Sequence, residues 1–439
     1  MKWVAFVGAL LAVYPFGLLL RRSPQLRLHL WTLVGLLPFV GLGIFFDINV
    51  LSYELYRGDS RGFEITVIDL LVLALYVALP KRRFDSPYRA ARYLYLFAAL
   101  LSVTQAPEPM FSWFSIWKLL RMYVFLAIVS RACQDARVPR ALLKGMALGV
   151  LCQLPMVFYQ RYLLGVHQTT GFFAHQNGLG TAVNIMVPIL LALVLARSRQ
   201  WLYPAALLAG AVTIVMSLSR GAMANFVFVS WLMFGLSVSR KLTPRKLFVA
   251  LVCATLVGGI LLKAGDTIVD RFLYAPKASG ESRQIFEAAA AAMLADHPLG
   301  IGINQYSLVV TQHGYWDRSA ADAGSTIPET GTYGGIVHNI YWLSASEMGY
   351  LGIFAFGWLL IGPLYLALGN GWRARHDLRG DVLLGLGTGL VGLYLHGFLE
   401  WTMRQTSISY LFWLVAALVA ALAQEVHQPR ASAVGAKRG

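Results

Sequence analysis

"WLYPAALLAGAVTIVMSLSRGAMANFVFVSWLMFGLSVS", residues 201–239, holds a single formal charge, Arg220, in an otherwise nearly uncharged apolar run. An 18-residue helix rises about 27 Å, close to the hydrocarbon thickness of a bilayer, so this run is too long for one crossing. It reads as two spans with a corner at 219–221. A charge at the bilayer centre costs several kcal/mol, whereas at such a corner the Arg220 guanidinium reaches the interface. The stretch therefore implies helices that cross a membrane and place their charges at the turns.

The rest of the chain repeats the pattern. Of its 439 residues 57% are hydrophobic and only 13% charged, against roughly a quarter charged in soluble domains. Apolar runs that match a span fall at 3–20, 29–46, 65–80, 91–105, 114–131, 141–159, 178–196, 201–218, 221–238, 247–264, 347–369, 382–399 and 405–424. The expected fold is all-α: a polytopic bundle of about twelve, or twelve to thirteen, membrane helices with one long outer loop. It divides into a bundle over 1–264, a helical loop over 265–346, further spans over 347–424 and a tail over 425–439. The N-terminal run ends in Arg21 and Arg22 without a small-residue cleavage site, so it reads as a retained span.

The formal charge of +16 is gathered in short clusters between the spans, among them Arg21/Arg22, Lys81/Arg82/Arg83, Arg131/Arg137/Arg140, Arg197/Arg199, Arg240/Lys241/Arg245/Lys246 and Arg373/Arg375/Arg379. That distribution marks cytoplasmic loops and argues against nucleic acid as a partner. The three cysteines lie in or beside apolar runs without metal-ligand spacing, which speaks against disulfides and zinc. Taking the basic clusters as cytoplasmic turns 47–64, 106–113, 160–177, 219–221, 265–346 and 400–404 outward.

Those outward connections share a chemistry. "YQRYLLGVHQTTGFFAHQNGLG" brings Arg161, His175 and Asn177; the corner brings Arg220. The long loop brings Arg283 on an alanine-rich helix that starts near Ser282 and ends at "HPLG", then His338 and Asn339; "HGFLEWTMRQ" adds Glu400 and Arg404. Guanidiniums bind phosphate oxygens in bidentate fashion, so an outer cavity lined by Arg and His suits a phosphate-bearing ligand. Arg161, Arg271 and Arg404 taken singly also read as side chains that snorkel to headgroups. Lys118 and Arg121 lie one turn apart in "FSIWKLLRMYVF", which suits either a phosphate or headgroup site or a snorkelling pair. Nucleotide P-loops, GxSxG elbows and the Asp-x-Asp pair of a magnesium-dependent sugar transferase are missing, so neither a metal nor another cofactor is expected.

At "GFFAHQNGLG" (171–180), "SLSRGA" (217–222), "SRQIFEA" (282–288) with "HPLGIG" (297–302), and "VHNIYWLSASEMGYLGIF" (337–354), the chain resembles the O-antigen ligase/polymerase superfamily over roughly 170–405. The resemblance implies a GT-C type membrane glycosyltransferase working at the periplasmic face of the bacterial inner membrane. Family ligases move a polysaccharide from undecaprenyl pyrophosphate to a sugar hydroxyl of the lipid A core, without metal and with inversion. The resemblance puts the catalytic histidine at His338 and essential arginines at Arg220 and Arg283; Arg161 and His175–Asn177 match weaker parts of the pattern. An imidazole, with its ordinary pKa of about 6.5, suits a base that deprotonates an acceptor hydroxyl. Pyrophosphate is a good leaving group and needs charge stabilisation, which arginines provide. Partners on this reading are the lipid-linked donor, the lipid A core acceptor and membrane lipids.

Alternatives remain. One dominant outer loop favours a ligase over an O-antigen polymerase, and the short stretch after the last span speaks against a protein O-oligosaccharyltransferase. A lipid transporter or flippase would show internal repeats and charges at mid-membrane; here the charges gather at one face.

Overall fold

The run 201–239 folds as the hairpin its length requires. Helix Leu202–Ser217 ends at Leu218, which turns the chain through a left-handed conformation (φ 50°); Ser219 then caps the helix Arg220–Arg240 by accepting from the amide of Ala222. The corner is tied to its neighbour twice: Ser219 Oγ donates to Asn177 Oδ1 (2.7 Å) and Asn184 Nδ2 donates to the Ala222 carbonyl (2.9 Å).

The computed structural model describes residues 2–41, 48–80, 86–196, 200–273, 277–322, 335–374 and 376–427. Expectations for Lys81, Arg82, Arg83, Arg197, Arg199, Arg375, the side chain of Arg271 and the tail from 428 onward lie outside the described residues. In order, the elements are α1 (Lys2–Arg22), α2 (Pro24–Leu36), β1 (Ile48–Ser52), β2 (Gly62–Ile65), α3 (Val67–Val77), α4 (Arg89–Val103), α5 (Pro109–Ala132) and α6 (Arg137–Phe158), which runs into a π-turn (Tyr159–Leu163). Then come α7 (Gln176–Leu195), α8 (Leu202–Ser217), α9 (Arg220–Arg240), α10 (Pro244–Leu273) and α11 (Lys277–Asp296). The last are α12 (Tyr306–Gln312), α13 (Tyr315–Asp322), α14 (Ile340–Arg373), α15 (Leu378–His396) and α16 (Thr406–His427).

This is a helical membrane bundle. Among the described residues seven helices are long and apolar enough to cross a bilayer, from Pro109–Ala132 through Thr406–Val426, with Val67–Val77 and Leu202–Ser217 as shorter apolar helices. At the centre stands α7, buried from Gly178 to Leu195 and packed against α8, α9 and α15. Between apolar helices in lipid, close contact of backbones replaces the hydrophobic drive. Small residues on α15 allow it: a methyl group at Gly389 would meet the Ile185 carbonyl oxygen at 2.4 Å.

Among the departures from the sequence reading, two bear on how the bundle is tied together. The connection 47–64 contains an antiparallel hairpin, Ile48 opposite Ile65 and Asn49 opposite Glu64, so the fold is not purely α. Its loop is pinned from the far end of the chain: Asn304 Nδ2 donates to the carbonyls of Ser60 and Phe111, both at 2.8 Å. The second departure is the helix after the long loop. It begins at Ile340 instead of near 347, because Asn339 Oδ1 accepts from the amides of Tyr341 and Trp342 and caps it there.

That helix is broken at Gly349 (φ 67°, ψ −167°), a conformation open essentially to glycine alone. The "HPLGIG" segment fills the break. Ile301 and Gly302 donate their amides to the carbonyls of Ser346 (3.0 Å) and Glu347 (2.9 Å), and the Tyr350 amide donates to Pro298 O (3.1 Å). Broken helices persist in membranes only where the freed backbone groups find partners of this kind. Because α11 leads directly into this segment, the break also fixes the Arg283 helix against the His338 helix. A methyl group at Gly349 would meet Pro298 O at 2.2 Å. Gly349→Ala is therefore expected to lose about 1–3 kcal/mol from backbone strain, before the clash is counted. A thermal melt of the purified variant in detergent checks this, and an unchanged midpoint would contradict the bridging role of 298–302.

Candidate active site

Four segments remote in the chain meet on one carboxylate. Glu400, with 2% of its side chain exposed, lies in the turn between α15 and the 3-10 turn Thr402–Arg404. Its Oε2 faces His338 Nδ1 at 3.2 Å, and its Oε1 lies 3.6 Å from Arg283 Nη2 and accepts a short hydrogen bond from Asn177 Nδ2. Asn177 in turn accepts from Ser219 Oγ, so the corner that carries Arg220 is one hydrogen bond from the cluster.

Local structure explains why these groups point together. His175 caps α7, its Nδ1 accepting from the Asn177 amide (3.3 Å), which sets Asn177 in the first turn of that helix. His338 and Asn339 precede α14, and the Ile340 amide donates to Gly397 O (2.9 Å), holding the His338 segment beside the Glu400 turn. Arg283 and Glu287 lie one turn apart on α11, and Glu287 Oε1 accepts from Asn339 Nδ2 (3.0 Å). Asn339 thus serves as helix cap and inter-helix strut.

The electrostatics follow from this packing. Burial pushes the Glu400 carboxyl upward, but hydrogen bonds from His338 and Asn177 and the Arg283 charge more than offset it, leaving Glu400 below the ordinary carboxylate range. Partial burial lowers His175, against an opposing pull from Glu400. An ionised carboxylate can only accept, so the Glu400 bond requires a proton on His338 Nδ1 and leaves the Nε2 lone pair available. The side chains of His338 and Arg283 are 36% and 35% exposed, so both face open space from a buried anchor.

Other expected residues fall elsewhere. Arg220 is exposed at the start of α9, and no ion pair with the described residues engages it. Arg161 donates to the His167 carbonyl (2.6 Å) and closes its own loop. Lys118 and Arg121 belong to a different network: Lys118 lies 3.8 Å from Asp59, and Arg121 pairs with Glu64 (2.8 Å) and Asp69 (2.7 Å). Their buried charge is compensated internally, which corrects both the phosphate-site and the snorkelling readings of that pair. Arg404 is corrected likewise: it is buried against Glu347 (3.0 Å) and Asp59 (3.5 Å) and does not snorkel.

Sequence reasoning gave no role to Glu400, Ser219 or Glu287. For Glu400 a signal existed, since an acid bracketed by two spans is costly unless it is paired or functional. Among the described residues no group of three or more His, Cys, Asp or Glu is placed to hold a metal ion.

Residues 205–357 match the family model described as O-antigen ligase. The chain carries an O-antigen ligase family domain. Its matched segment includes the Arg220 corner, Arg283, the Gly349 break and His338, while His175, Asn177 and Glu400 complete the cluster from outside it. No curated protein matches the chain. The family match and the apolar helices together fit a multi-pass membrane protein, and the matched domain points to a glycosyltransferase-like enzyme with lipid-linked glycans in general as substrates.

Proposed function

We propose that the protein is an O-antigen ligase with about twelve spans in the bacterial inner membrane and the His338 cluster at the periplasmic face. It transfers a polysaccharide from undecaprenyl pyrophosphate to a sugar hydroxyl of the lipid A core. The observation that carries this reading is the sharing of buried Glu400 by His338 and Arg283, both of which present their outer halves to open space.

In the proposed step the acceptor hydroxyl oxygen attacks the anomeric carbon from the face opposite the pyrophosphate. The new glycosidic bond forms as the bond to the pyrophosphate oxygen breaks, and the hydroxyl proton passes to His338 Nε2. Glu400 holds the ring in the tautomer that can accept that proton, and stabilises the imidazolium that results. Arg283 and Arg220 face the departing diphosphate, whose growing charge they stabilise. Arg161 supports the loop before α7. No metal takes part, because guanidiniums do the work of charge neutralisation.

The test is transfer by purified protein in proteoliposomes supplied with lipid-linked glycan and lipid A core acceptor. Glycan is expected to appear on the acceptor at a rate unchanged by EDTA. Growth of the glycan on its own carrier, with none reaching the acceptor, would assign a polymerase instead; loss in EDTA that magnesium restores would overturn metal independence.

A further inference from the structure

The far end of the bundle holds a second concentration of cations. Helix α3 ends at Val77, and its last carbonyls are met by arginines from three other elements: Arg21 Nε to Val77 O (2.9 Å), Arg27 Nη1 to Ala78 O (3.2 Å), and Arg131 Nη2 to Pro80 O. Cations at a helix C-terminus satisfy free carbonyls and oppose the negative end of the dipole. Each of these bonds uses one N–H, and a guanidinium has five donors.

Beside them opens a cavity of about 340 Å³ between α2, the end of α3 and the α5–α6 turn. Among the described residues its wall holds three guanidiniums, Arg27, Arg131 and Arg137, against one carboxylate, Asp135. Asp135 is committed to Arg137 (2.8 Å), which leaves Arg27 and Arg131 in excess. Arg131 stacks over Tyr76, 5.3 Å from the ring centroid, and its buried Nε has no hydrogen-bond partner among the described residues. Apart from Gln134, the remaining wall is apolar, including Leu28, Leu79, Trp31 and Val138. Helix α6 starts at this cavity and its other end leads, through Gln160 and Gly171, toward the His175 segment; its 22 residues put about 33 Å between the two sites.

We propose that this cavity binds the phosphate of an anionic phospholipid, with the headgroup between Arg27 and Arg131 and acyl chain along the apolar wall. Helix capping alone accounts for one donor per arginine but not for a roomy, net-positive cavity lined on one side by Trp31 and Val138. Its volume is in the range of small-ligand pockets, and its position, at the ends of membrane helices and between them, is where basic pockets meet lipid headgroups. A free phosphate would use the cations and leave the apolar wall bare.

Native mass spectrometry of the purified protein in detergent, with dioctanoyl phosphatidylglycerol and dioctanoyl phosphatidylcholine as probes, tests the proposal. Wild type is expected to retain the anionic lipid in preference, and R27Q/R131Q to lower its retention at least about tenfold, while Arg245→Gln, at the start of α10, leaves it unchanged. Asp135→Asn, which leaves the carbonyls at the end of α3 untouched and keeps an oxygen to accept from the Arg137 amide at the start of α6, is expected to raise retention, so the idea stays testable should the double variant fail to fold. Equal retention of the two lipids, or retention unmoved in both cavity variants, would overturn the site. Displacement of the lipid by millimolar inorganic phosphate would identify a free anion as the ligand and overturn the lipid assignment.

Discussion

His338→Ala is expected to reduce glycan transfer by about a hundred- to ten-thousand-fold, the range that a positioned proton acceptor supplies. Donor affinity should change little, because Arg283 and Arg220 remain. The companion variant Glu400→Gln separates the base from its support. An amide at that position keeps the shape of the site but removes the negative charge facing His338 Nδ1 at 3.2 Å. Turnover should fall by a smaller factor, because the ring loses the partner that fixes its tautomer but keeps its place beside the acceptor. The Glu400 carboxyl is held below the ordinary carboxylate range, so the charge that Gln removes is present at neutral pH. For the fold the sign is the usual one for a depressed acid. The stabilising contribution is complete above the ordinary carboxylate value, about 4.3, and disappears as the pH falls through the lower folded value. Steady-state kinetics on folded protein, with donor binding measured separately, decide the matter. Wild-type turnover in His338→Ala would remove the assignment, and unchanged turnover in Glu400→Gln would reduce that residue to packing.

The parts of this structure that were legible in the sequence are those governed by local periodicity. The length of the 201–239 run demanded a corner, and a Ser-Arg-Gly sequence there supplies a cap at Ser219. The alanine-rich body and "HPLG" stop placed the body and end of the Arg283 helix, which starts at Lys277, ahead of the expected Ser282. The hairpin Ile48–Ser52 with Gly62–Ile65 escaped because its strands are short and half exposed, so they lack a strong alternation. The hub of the site was hidden for a different reason. Asn177 and Glu400 are 223 positions apart, and nothing local announces that one amide will meet one acid. The same blindness affected Lys118 and Arg121, whose acidic partners lie 52 to 59 positions away. Seen along one helix face they are two free cations; folded, they are spent. Family resemblance supplied His338, Arg220 and Arg283, and the outward turns already held Glu400, but that this carboxylate links the first to the third came only from the geometry.

Arg404→Ala is expected to be the most destabilising single change in the bundle, by about 3–5 kcal/mol, the penalty for stripping one partner from a buried ion pair. The guanidinium reaches Glu347 Oε2 through Nη2 and Asp59 Oδ1 through Nη1, and the three side chains are 8%, 2% and 3% exposed. Its removal leaves two buried carboxylates with Lys118 alone, 3.8 Å from Asp59, as compensation. Glu347 adjoins the helix break and its Oε1 accepts from the Tyr306 amide (3.3 Å), while Arg404 follows Glu400 by one turn. The ion pair thus clamps the broken helix of His338 to the turn that carries its carboxylate partner, so turnover should fall together with stability. Arg404→Lys keeps the charge but not the fork, and should lose less. The double variant Arg404→Met/Glu347→Gln should be milder than Arg404→Ala, because it no longer strands the Glu347 charge. Thermal or SDS unfolding in detergent gives the ranking. A double variant no better than Arg404→Ala would mean that the guanidinium acts through volume, and that the clamp on the active site is packing and not charge.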